Sequence, residues 1–278
     1  MNSTTIIRPP AVAGKFYPGD PQDLRETIAG FLEEAESEPI SGEIRGIVAP
    51  HAGYMYSGFT AAHAYKLLKG REFDVVVVVP PSHFDFFHGV SVYPGEAYET
   101  PLGRIPINAE LREALTAASD VVIVSDAGHR AEHALEVQLP FLQCTLQPGT
   151  FTLVPLVIGD QKREICFALG QALAEVLKDR NVLLVASTDL SHYYPASIAE
   201  RLDAVMMRDV AAFDYEKLMT DLETHRTEAC GGGPTVAVMA ALDDLGVRKM
   251  KVTHRSNSGD TTGDYSSVVG YLSAVAYA

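Results

Sequence analysis

The chain has 278 residues, of which 47% are hydrophobic and 21% are charged, so we expect a sizeable core rather than extensive disorder. Its 22 Lys and Arg against 36 Asp and Glu give a net charge of −14, which argues against nucleic-acid and membrane partners. The three cysteines are too few and too widely spaced for a disulfide framework, and the sequence has neither a signal-peptide pattern nor a membrane-spanning run, so we expect a cytoplasmic protein.

In chain order, the sequence predicts an extended arm over residues 8–20, which is rich in proline and glycine, and then helices that alternate with strands. Asp20 and Pro21 are typical of an N-cap and a first helical position. The five valines of 75–79 indicate a strand that is buried on both faces. Pro155 places the strand 151–158 near a sheet edge or at a bulge. Further helices are predicted at 57–69, 108–119, 130–146 with an interruption at Pro140, 162–179, 195–213, 215–224 and 231–245.

This alternation predicts an α/β fold with a central, mainly parallel or mixed sheet and helices on both faces. The chain contains no internal repeat, low-complexity tract or linker. We therefore expect one domain over residues 1–278.

Three of the predicted strands lead into residues that can do chemistry. A strand that begins near residue 44 leads into His51, and the valine strand leads into His83. A third strand, which begins near residue 181, leads into Asp189 and His192. Ligands of open α/β sheets bind outside the carboxyl ends of the strands, so these side chains can converge on one crevice. Either of the first two histidines alone could equally be a loop residue bonded to backbone; together they favour a metal or acid/base centre.

Cys230 offers a third metal ligand. It precedes three glycines at a predicted helix start, where the helix dipole and free N–H groups favour a thiolate. Cys144 and Cys166 fall within helical patterns and are expected to be structural. Two histidines and one cysteine would resemble the two-His-one-carboxylate iron site, although a thiolate also admits Cu(I) and Zn(II).

Two further segments could support the site. Asp189 is a candidate carboxylate beside the ligands, and His192 is a candidate general acid or base. His129, His133 and Glu136 would share one face at the helical spacing of this segment, and a solvated polar stripe is the simplest interpretation. The loop 258–265, rich in acidic and hydroxyl residues, could be a plain turn or a pocket wall.

Several ordered motifs closely resemble the Memo-like family, named after the mediator of ErbB2-driven cell motility, whose microbial members are also called AmmeMemoRadiSam system protein B. The motifs are Ala49-Pro50-His51-Ala52-Gly53-Tyr54, Pro80-Pro81-Ser82-His83, Glu132-His133 with Glu136, Ser187-Thr188-Asp189-Leu190-Ser191-His192 and Ser258-Gly259-Asp260. The resemblance begins at Pro9 and covers nearly the whole chain.

The resemblance implies a fold similar to class III extradiol dioxygenases. It implies iron or copper bound by His51, His83 and Cys230, with Asp189 and His192 beside the metal. It also makes His133 and Glu136 candidates for supporting roles. An AMMECR-like protein and a radical S-adenosylmethionine enzyme are the partners it suggests. The glycines after Cys230 differ from the animal members, which argues against phosphopeptide binding here.

The first hypothesis is a metal-dependent oxidoreductase of the extradiol-dioxygenase type. Fe(II) is the expected metal, with Cu or Zn as alternatives, and the substrate is a small molecule or a modified side chain. One alternative is a non-catalytic metal-binding or protein-interaction module that acts with the two partners. The other is a Zn hydrolase. The sequence favours an enzyme without deciding the question.

Overall fold

The structure, a computed structural model, describes residues 6–147 and 149–278. Its strands are β1 (Ile7–Arg8), β2 (Ile44–Ala49), β3 (Val75–Val79), β4 (Val90–Val92), β5 (Ala97–Thr100), β6 (Gly103–Pro106), β7 (Val122–Val124), β8 (Thr152–Ile158), β9 (Val182–Ser187), β10 (His192–Tyr194), β11 (Lys249–Asn257) and β12 (Val268–Tyr277). Its helices are α1 (Pro21–Glu34), α2 (Tyr54–Tyr65), α3 (Ala109–Ala118), α4 (Gln138–Thr145), α5 (Arg163–Leu177), α6 (Ala196–Ala211), α7 (Tyr215–Glu223), α8 (Gly232–Asp244) and α9 (Gly259–Thr262). Among the described residues, no helix is long and apolar enough to cross a membrane.

The large sheet is mixed, which confirms the predicted α/β class. Its order is β10-β12-β2-β9-β3-β8-β4-β7, with β11 also paired to β12. β2, β9, β3 and β8 are parallel, whereas β12 is antiparallel to β2 and β4 is antiparallel to β8. β1, β5 and β6 form a small separate sheet. The parallel centre is what brings the three chemistry-bearing strand ends to one edge.

The valine strand shows how both faces of the sheet are covered. Successive side chains of a strand point to opposite faces. Val75, Val77 and Val79 pack into the cluster that contains residues of α3, α5 and α8. Val76 and Val78 pack into the cluster that contains residues of α1, α2 and α4. Fully burying a side chain of this kind contributes about 1.5–3 kcal/mol, so the alternation stabilises the strand that carries His83.

The predicted helix 130–146 is wrong over its first half, because α4 begins only at Gln138. Pro140 gives the physical reason. A helix that ran through it would need its missing N–H to bond the carbonyl of Glu136, and the ring would clash with that carbonyl. In the first turn of α4, the missing donor is tolerated. Residues 129–136 therefore form turns, and the shared helical face expected for His129, His133 and Glu136 does not exist.

The edge position expected for the proline strand is also wrong. β8 lies between β3 and β4 in the interior of the sheet. Pro155 pairs with Val78 of β3, and the antiparallel pairing with β4 begins at the next residue, Leu156. The N-cap prediction is confirmed, because Asp20 accepts hydrogen bonds from the N–H groups of Gln22 and Asp23 at the start of α1.

Candidate metal centre

Three neighbouring strands deliver the candidate site residues to one edge of the sheet. β9 pairs with β2 on one side and with β3 on the other, all parallel. Their carboxyl ends lead into His51, His83 and the pair Asp189 and His192. The rings of His51 and His83 lie with their centroids 5.1 Å apart. The expected convergence of the strand ends therefore occurs.

A third histidine completes a group that could bind a metal ion. One donor atom from each of His51, His83 and His133 lies within 4.8 Å of the other two. Metal–nitrogen bonds of about 2.0–2.1 Å would place ligand nitrogens roughly 3–4 Å apart, so small side-chain adjustments suffice. His51 is buried, whereas the His83 side chain is 27% exposed and the His133 side chain is 14% exposed.

Hydrogen bonds assign the tautomer of His51. The Ser187 hydroxyl donates its one proton to the carbonyl of Ala134, at 2.7 Å. Its oxygen accepts from the Gln138 amide at 2.8 Å and lies 2.9 Å from Nδ1 of His51. Because the hydroxyl proton is already used, Nδ1 of His51 must carry a proton and donate it. The lone pair of His51 is thus on Nε2, where a metal can bind.

One carboxylate holds His83. Nδ1 of His83 lies 2.9 Å from Oε1 of Glu132, and the His83 backbone N–H donates to Oε2 at 2.6 Å. Burial would raise the pKa of the Glu132 carboxyl, but the hydrogen bonds and charge of His83 outweigh it and lower that pKa. A carboxylate only accepts, so Nδ1 donates, and in the neutral ring Nε2 carries the lone pair. This is the carboxylate–histidine arrangement that orients ligands in metal sites.

His133 has a buried ring nitrogen without a hydrogen bond. Its Nδ1 lies 3.3 Å from Oε1 of Glu132, yet the geometry does not form a hydrogen bond. Burial lowers the pKa of His133 to about 4 and lowers the pKa of His51 well below its usual value. Both rings are therefore neutral at pH 7 and can donate lone pairs. A free buried nitrogen beside two oriented imidazoles fits zinc, iron or copper.

Cys230 borders this group. Its Sγ lies 3.1 Å from Nε2 of His51 and accepts from the Asp189 N–H at 3.2 Å. Among the described residues, the group within 4.8 Å comprises only the three histidines. Burial, followed by the Asp189 charge, raises the pKa of the Cys230 thiol. Burial thus opposes the thiolate expected at the start of α8, whereas a bound metal would favour it. The predicted role of Cys230 as a metal ligand stays a prediction.

Asp189 and His192 have separate partners. Oδ1 of Asp189 accepts from the His51 N–H at 2.7 Å, and burial raises the pKa of its carboxyl to about 7. Nδ1 of His192 donates to the Leu190 carbonyl at 2.7 Å. Asp189 thus holds the backbone that carries His51, and the Leu190 carbonyl, rather than Asp189, orients the ring of His192.

A pocket of about 630 Å³ opens onto the three histidines and His192. Phe16 of the arm and Tyr271 of β12 form part of its lining. Tyr193 also lines it, with a φ of 64° that is uncommon for a non-glycine residue and typical of strained backbone at functional sites. The loop 258–265 contributes Ser258, Thr262 and Asp264. Of the two interpretations of this loop, the pocket wall is the one that the structure supports.

Some supporting residues had no clear signal in the sequence. Glu132 and Ser187 each belong to a recognised motif, which was the available hint. Glu136 is fully buried and pairs with Arg8 instead of a histidine. His129 is also fully buried, between the hydroxyls of Tyr98 and Ser91. The solvated polar stripe expected for this segment is therefore wrong.

The fold and the site together define an α/β protein with a candidate three-histidine metal centre at the carboxyl ends of its parallel strands. A family profile described as Memo-like protein matches residues 8–275. The chain belongs to the Memo-like family, as the motifs around His51, His83 and Asp189 predicted.

Relatives described as MEMO1 family proteins match over nearly their full length. The one from Nitrosopumilus maritimus is 35% identical over 270 residues, which cover 96% of this chain and 98% of the relative. The one from Methanocaldococcus jannaschii is 38% identical over 283 residues, covering 97% and 98%. The one from Aquifex aeolicus is 38% identical over 272 residues, also covering 97% and 98%.

The fold is similar to a solved structure as well. The crystal structure of an uncharacterized protein, JW3007, from Escherichia coli K12 matches with a TM-score of 0.54 and 19% identity. The match covers 85% of this chain and 100% of that chain. At this identity, the likeness concerns the fold alone.

Proposed function

We propose that the protein is a metal-dependent oxidoreductase of the extradiol-dioxygenase type, acting on a small molecule or a modified side chain. The observation that carries the proposal is the group of His51, His83 and His133 at a pocket of about 630 Å³. Imidazole ligands suit iron, copper and zinc. We propose Fe(II) as the working metal and copper as its alternative.

When bound, Fe(II) would supply redox chemistry and open positions for substrate and oxygen. The protein's own contribution is to orient the ligand rings and to line the pocket. Ser187 and Glu132 bond Nδ1 of His51 and Nδ1 of His83, which leaves Nε2 of each ring as the atom to bind a metal. Phe16 and Tyr271 give the pocket an apolar, aromatic wall that would contact the carbon skeleton of a substrate.

His192 is the proposed proton-transfer group. Its Nδ1 proton is committed to the Leu190 carbonyl, so Nε2 bears the lone pair. Burial lowers the pKa of His192, which keeps the ring neutral at pH 7. A neutral imidazole at the pocket wall can take a proton from a substrate hydroxyl and later return it.

A zinc hydrolase is the second candidate, and the three-histidine set is the observation that favours it. Catalytic zinc sites commonly have three protein ligands and one open position, as in carbonic anhydrase. Zinc would supply an acidified water at that position. The same pocket and the same His192 would serve a hydrolytic proton transfer.

Anaerobic loading with iron, copper or zinc separates these candidates. Oxygen uptake would be measured with a panel of catechols, and hydrolysis with a panel of esters and amides. His192→Gln is the test variant, and His88→Gln, whose side chain is 76% exposed, is the control. We expect oxygen uptake with iron, strongly reduced in His192→Gln and unchanged in the control.

Other outcomes are equally informative. Turnover that needs zinc and no oxygen would favour the hydrolase. A filled site that turns over nothing with any metal would contradict both enzymes and favour the metal-binding or interaction module. For that module we propose an AMMECR-like protein and a radical S-adenosylmethionine enzyme as partners, and recovery of either from native cells by wild type and His192→Gln alike would support it.

A further inference from the structure

Arg8 is a charged side chain in the core, far along the chain from the segment that it contacts. The residue is 2% exposed. Its Nε donates to the His129 carbonyl at 3.0 Å, its Nη2 donates to the Glu132 carbonyl at 2.6 Å, and its Nη1 pairs with the Glu136 carboxylate. The guanidinium also lies 5.1 Å from the ring centroid of Tyr98. A buried charge is tolerated only when it is paired and hydrogen-bonded in this way.

The three contacts fall on one irregular segment, residues 129–136. This segment precedes α4 and forms turns rather than a helix, so backbone ladders do not define its course. It nevertheless supplies His133 to the histidine group and Glu132 to the ring and backbone of His83. The planar guanidinium of an arginine has five N–H donors in fixed directions, so it can hold the backbone of such a segment in one conformation, whereas the single ammonium group of a lysine cannot.

Glu136 ties the same segment to the arm that follows Arg8. Its carboxylate accepts from the N–H groups of Ala11 and Val12 at 2.8 and 3.0 Å and from the Tyr17 hydroxyl at 2.5 Å. Within this arm, Phe16 packs its ring 4.7 Å from that of His133, centroid to centroid. The arm thus holds Glu136 and packs against the ring of His133.

We propose that Arg8 is a positioning residue of the metal centre. By holding the carbonyls of His129 and Glu132 and the carboxylate of Glu136, it sets the segment that places His133 and Glu132 beside His51 and His83. The proposal rests on the metal-binding part of the proposed function and is independent of whether the bound metal reacts with oxygen. The competing interpretation is a buried ion pair that stabilises the fold without affecting the metal centre.

The test removes both charges together, because either charge left alone in the core would be costly. The variant is Arg8→Met with Glu136→Gln, in the full chain. Its control is Arg163→Met with Glu223→Gln, an ion pair of 2.8 Å whose side chains are 35% and 43% exposed. Co(II) is titrated anaerobically into each protein, and the dissociation constant, the visible absorption spectrum and the thermal midpoint are recorded.

We expect the double variant to bind Co(II) at least about tenfold more weakly, in line with the loss of outer supports in other metal sites. Its visible bands should also shift, because His133 leaves the coordination sphere. The control should match wild type. A folded double variant with the wild-type affinity and spectrum would overturn the proposal, whatever its thermal midpoint, since a purely structural ion pair changes only that midpoint.

A milder variant guards against misfolding. Arg8→Lys keeps a positive charge opposite Glu136 but loses the planar fork that reaches the carbonyls of His129 and Glu132, and we expect the same spectral shift with a smaller loss of affinity. An unchanged spectrum in that variant would equally overturn the proposal. If wild type itself binds no Co(II), the metal centre fails and this inference fails with it. If wild type binds Co(II) but never consumes oxygen, only the oxidoreductase proposal fails.

Discussion

The carboxylate of Glu132 holds His83 twice, with Oε1 2.9 Å from the ring Nδ1 and Oε2 accepting from the backbone N–H at 2.6 Å. One side chain therefore sets both the backbone and the ring orientation of a candidate ligand. It also lies 3.3 Å from Nδ1 of the neighbouring His133. Such supporting carboxylates raise ligand basicity, so Glu132 should matter for metal affinity without binding the metal.

We predict that Glu132→Gln weakens metal binding by about 10–100-fold, the usual cost of losing an outer-shell partner. The amide keeps the shape of the side chain but loses the charge that polarises His83. Zinc competition against a chromophoric chelator measures the change. Glu43→Gln, whose carboxylate is 59% exposed, serves as control. Equal affinities in Glu132→Gln and wild type would show that Glu132 does not support the centre.

The third ligand can be identified by comparing two variants. His133→Gln should lower metal affinity by more than about 100-fold, because losing a ligand costs more than losing an outer partner. Cys230→Ser should lower it by less than about tenfold, since the sulfur contacts His51 but lies outside the histidine group. The same chelator competition measures the metal affinity of both variants. A larger loss of affinity in Cys230→Ser than in His133→Gln would favour the ligand set predicted from the sequence, with Cys230 as the third ligand.

His192→Gln should separate catalysis from metal binding. General acid/base groups typically contribute about 10²–10⁴-fold to rate, so we expect a loss of that size in kcat for whichever metal supports turnover. Metal affinity should stay as in wild type, because His192 is not one of the three grouped histidines. Weak metal binding in this variant would make His192 part of the ligand sphere instead.

Buried His129 should make the protein less stable in acid. Burial lowers its pKa to about 3 from the ordinary 6.5. Between these values the unfolded chain binds the proton and the folded chain does not. The His129 contribution is therefore complete above pH 6.5 and is lost as the pH falls below it. At about 1.4 kcal/mol per pH unit, the loss at pH 5 is about 2 kcal/mol.

Urea unfolding at pH 7.5 and pH 5 checks this sign. In His129→Gln, which retains hydrogen-bonding groups for Tyr98 and Ser91, the fall in the free energy of unfolding should be about 2 kcal/mol smaller than in wild type. His88→Gln should behave as wild type does, because its ring is exposed. An equal fall in all three proteins would contradict the assignment of a strongly depressed pKa to His129.

The glycine after Cys230 should be required for close packing. A Cβ on Gly231 would lie 2.2 Å from the Ser187 carbonyl oxygen and 2.7 Å from Cβ of Thr188. We therefore expect Gly231→Ala to destabilise the fold by about 1–3 kcal/mol, as overpacking does. Gly30→Ala within α1 meets nothing within 4 Å and should stabilise by about 0.5–1 kcal/mol. Chemical denaturation of both variants tests the contrast.

The strand-borne half of the site was predictable from sequence. β-branched runs mark the central strands, and the parallel arrangement brings their ends to one edge, so His51, His83 and Asp189 could be placed together. The part of the site that comes from residues 129–136 could not be predicted from the sequence. Its course depends on Arg8, which contacts the His129 carbonyl across 121 positions of sequence. The spacing of residues along the chain carries no information about a contact between such distant positions. The helical spacing of His129, His133 and Glu136 predicted a solvated polar stripe, whereas Glu136 is buried.

X-ray absorption fine structure of the zinc- or iron-loaded protein tests the central claim most directly. The account predicts one metal ion with three imidazole nitrogens at about 2.0–2.1 Å, one of which is lost in each of the variants His51→Gln, His83→Gln and His133→Gln. A sulfur at about 2.3 Å in place of the third nitrogen would move that position from His133 to Cys230. A coordination shell without imidazole nitrogens would contradict the metal centre altogether.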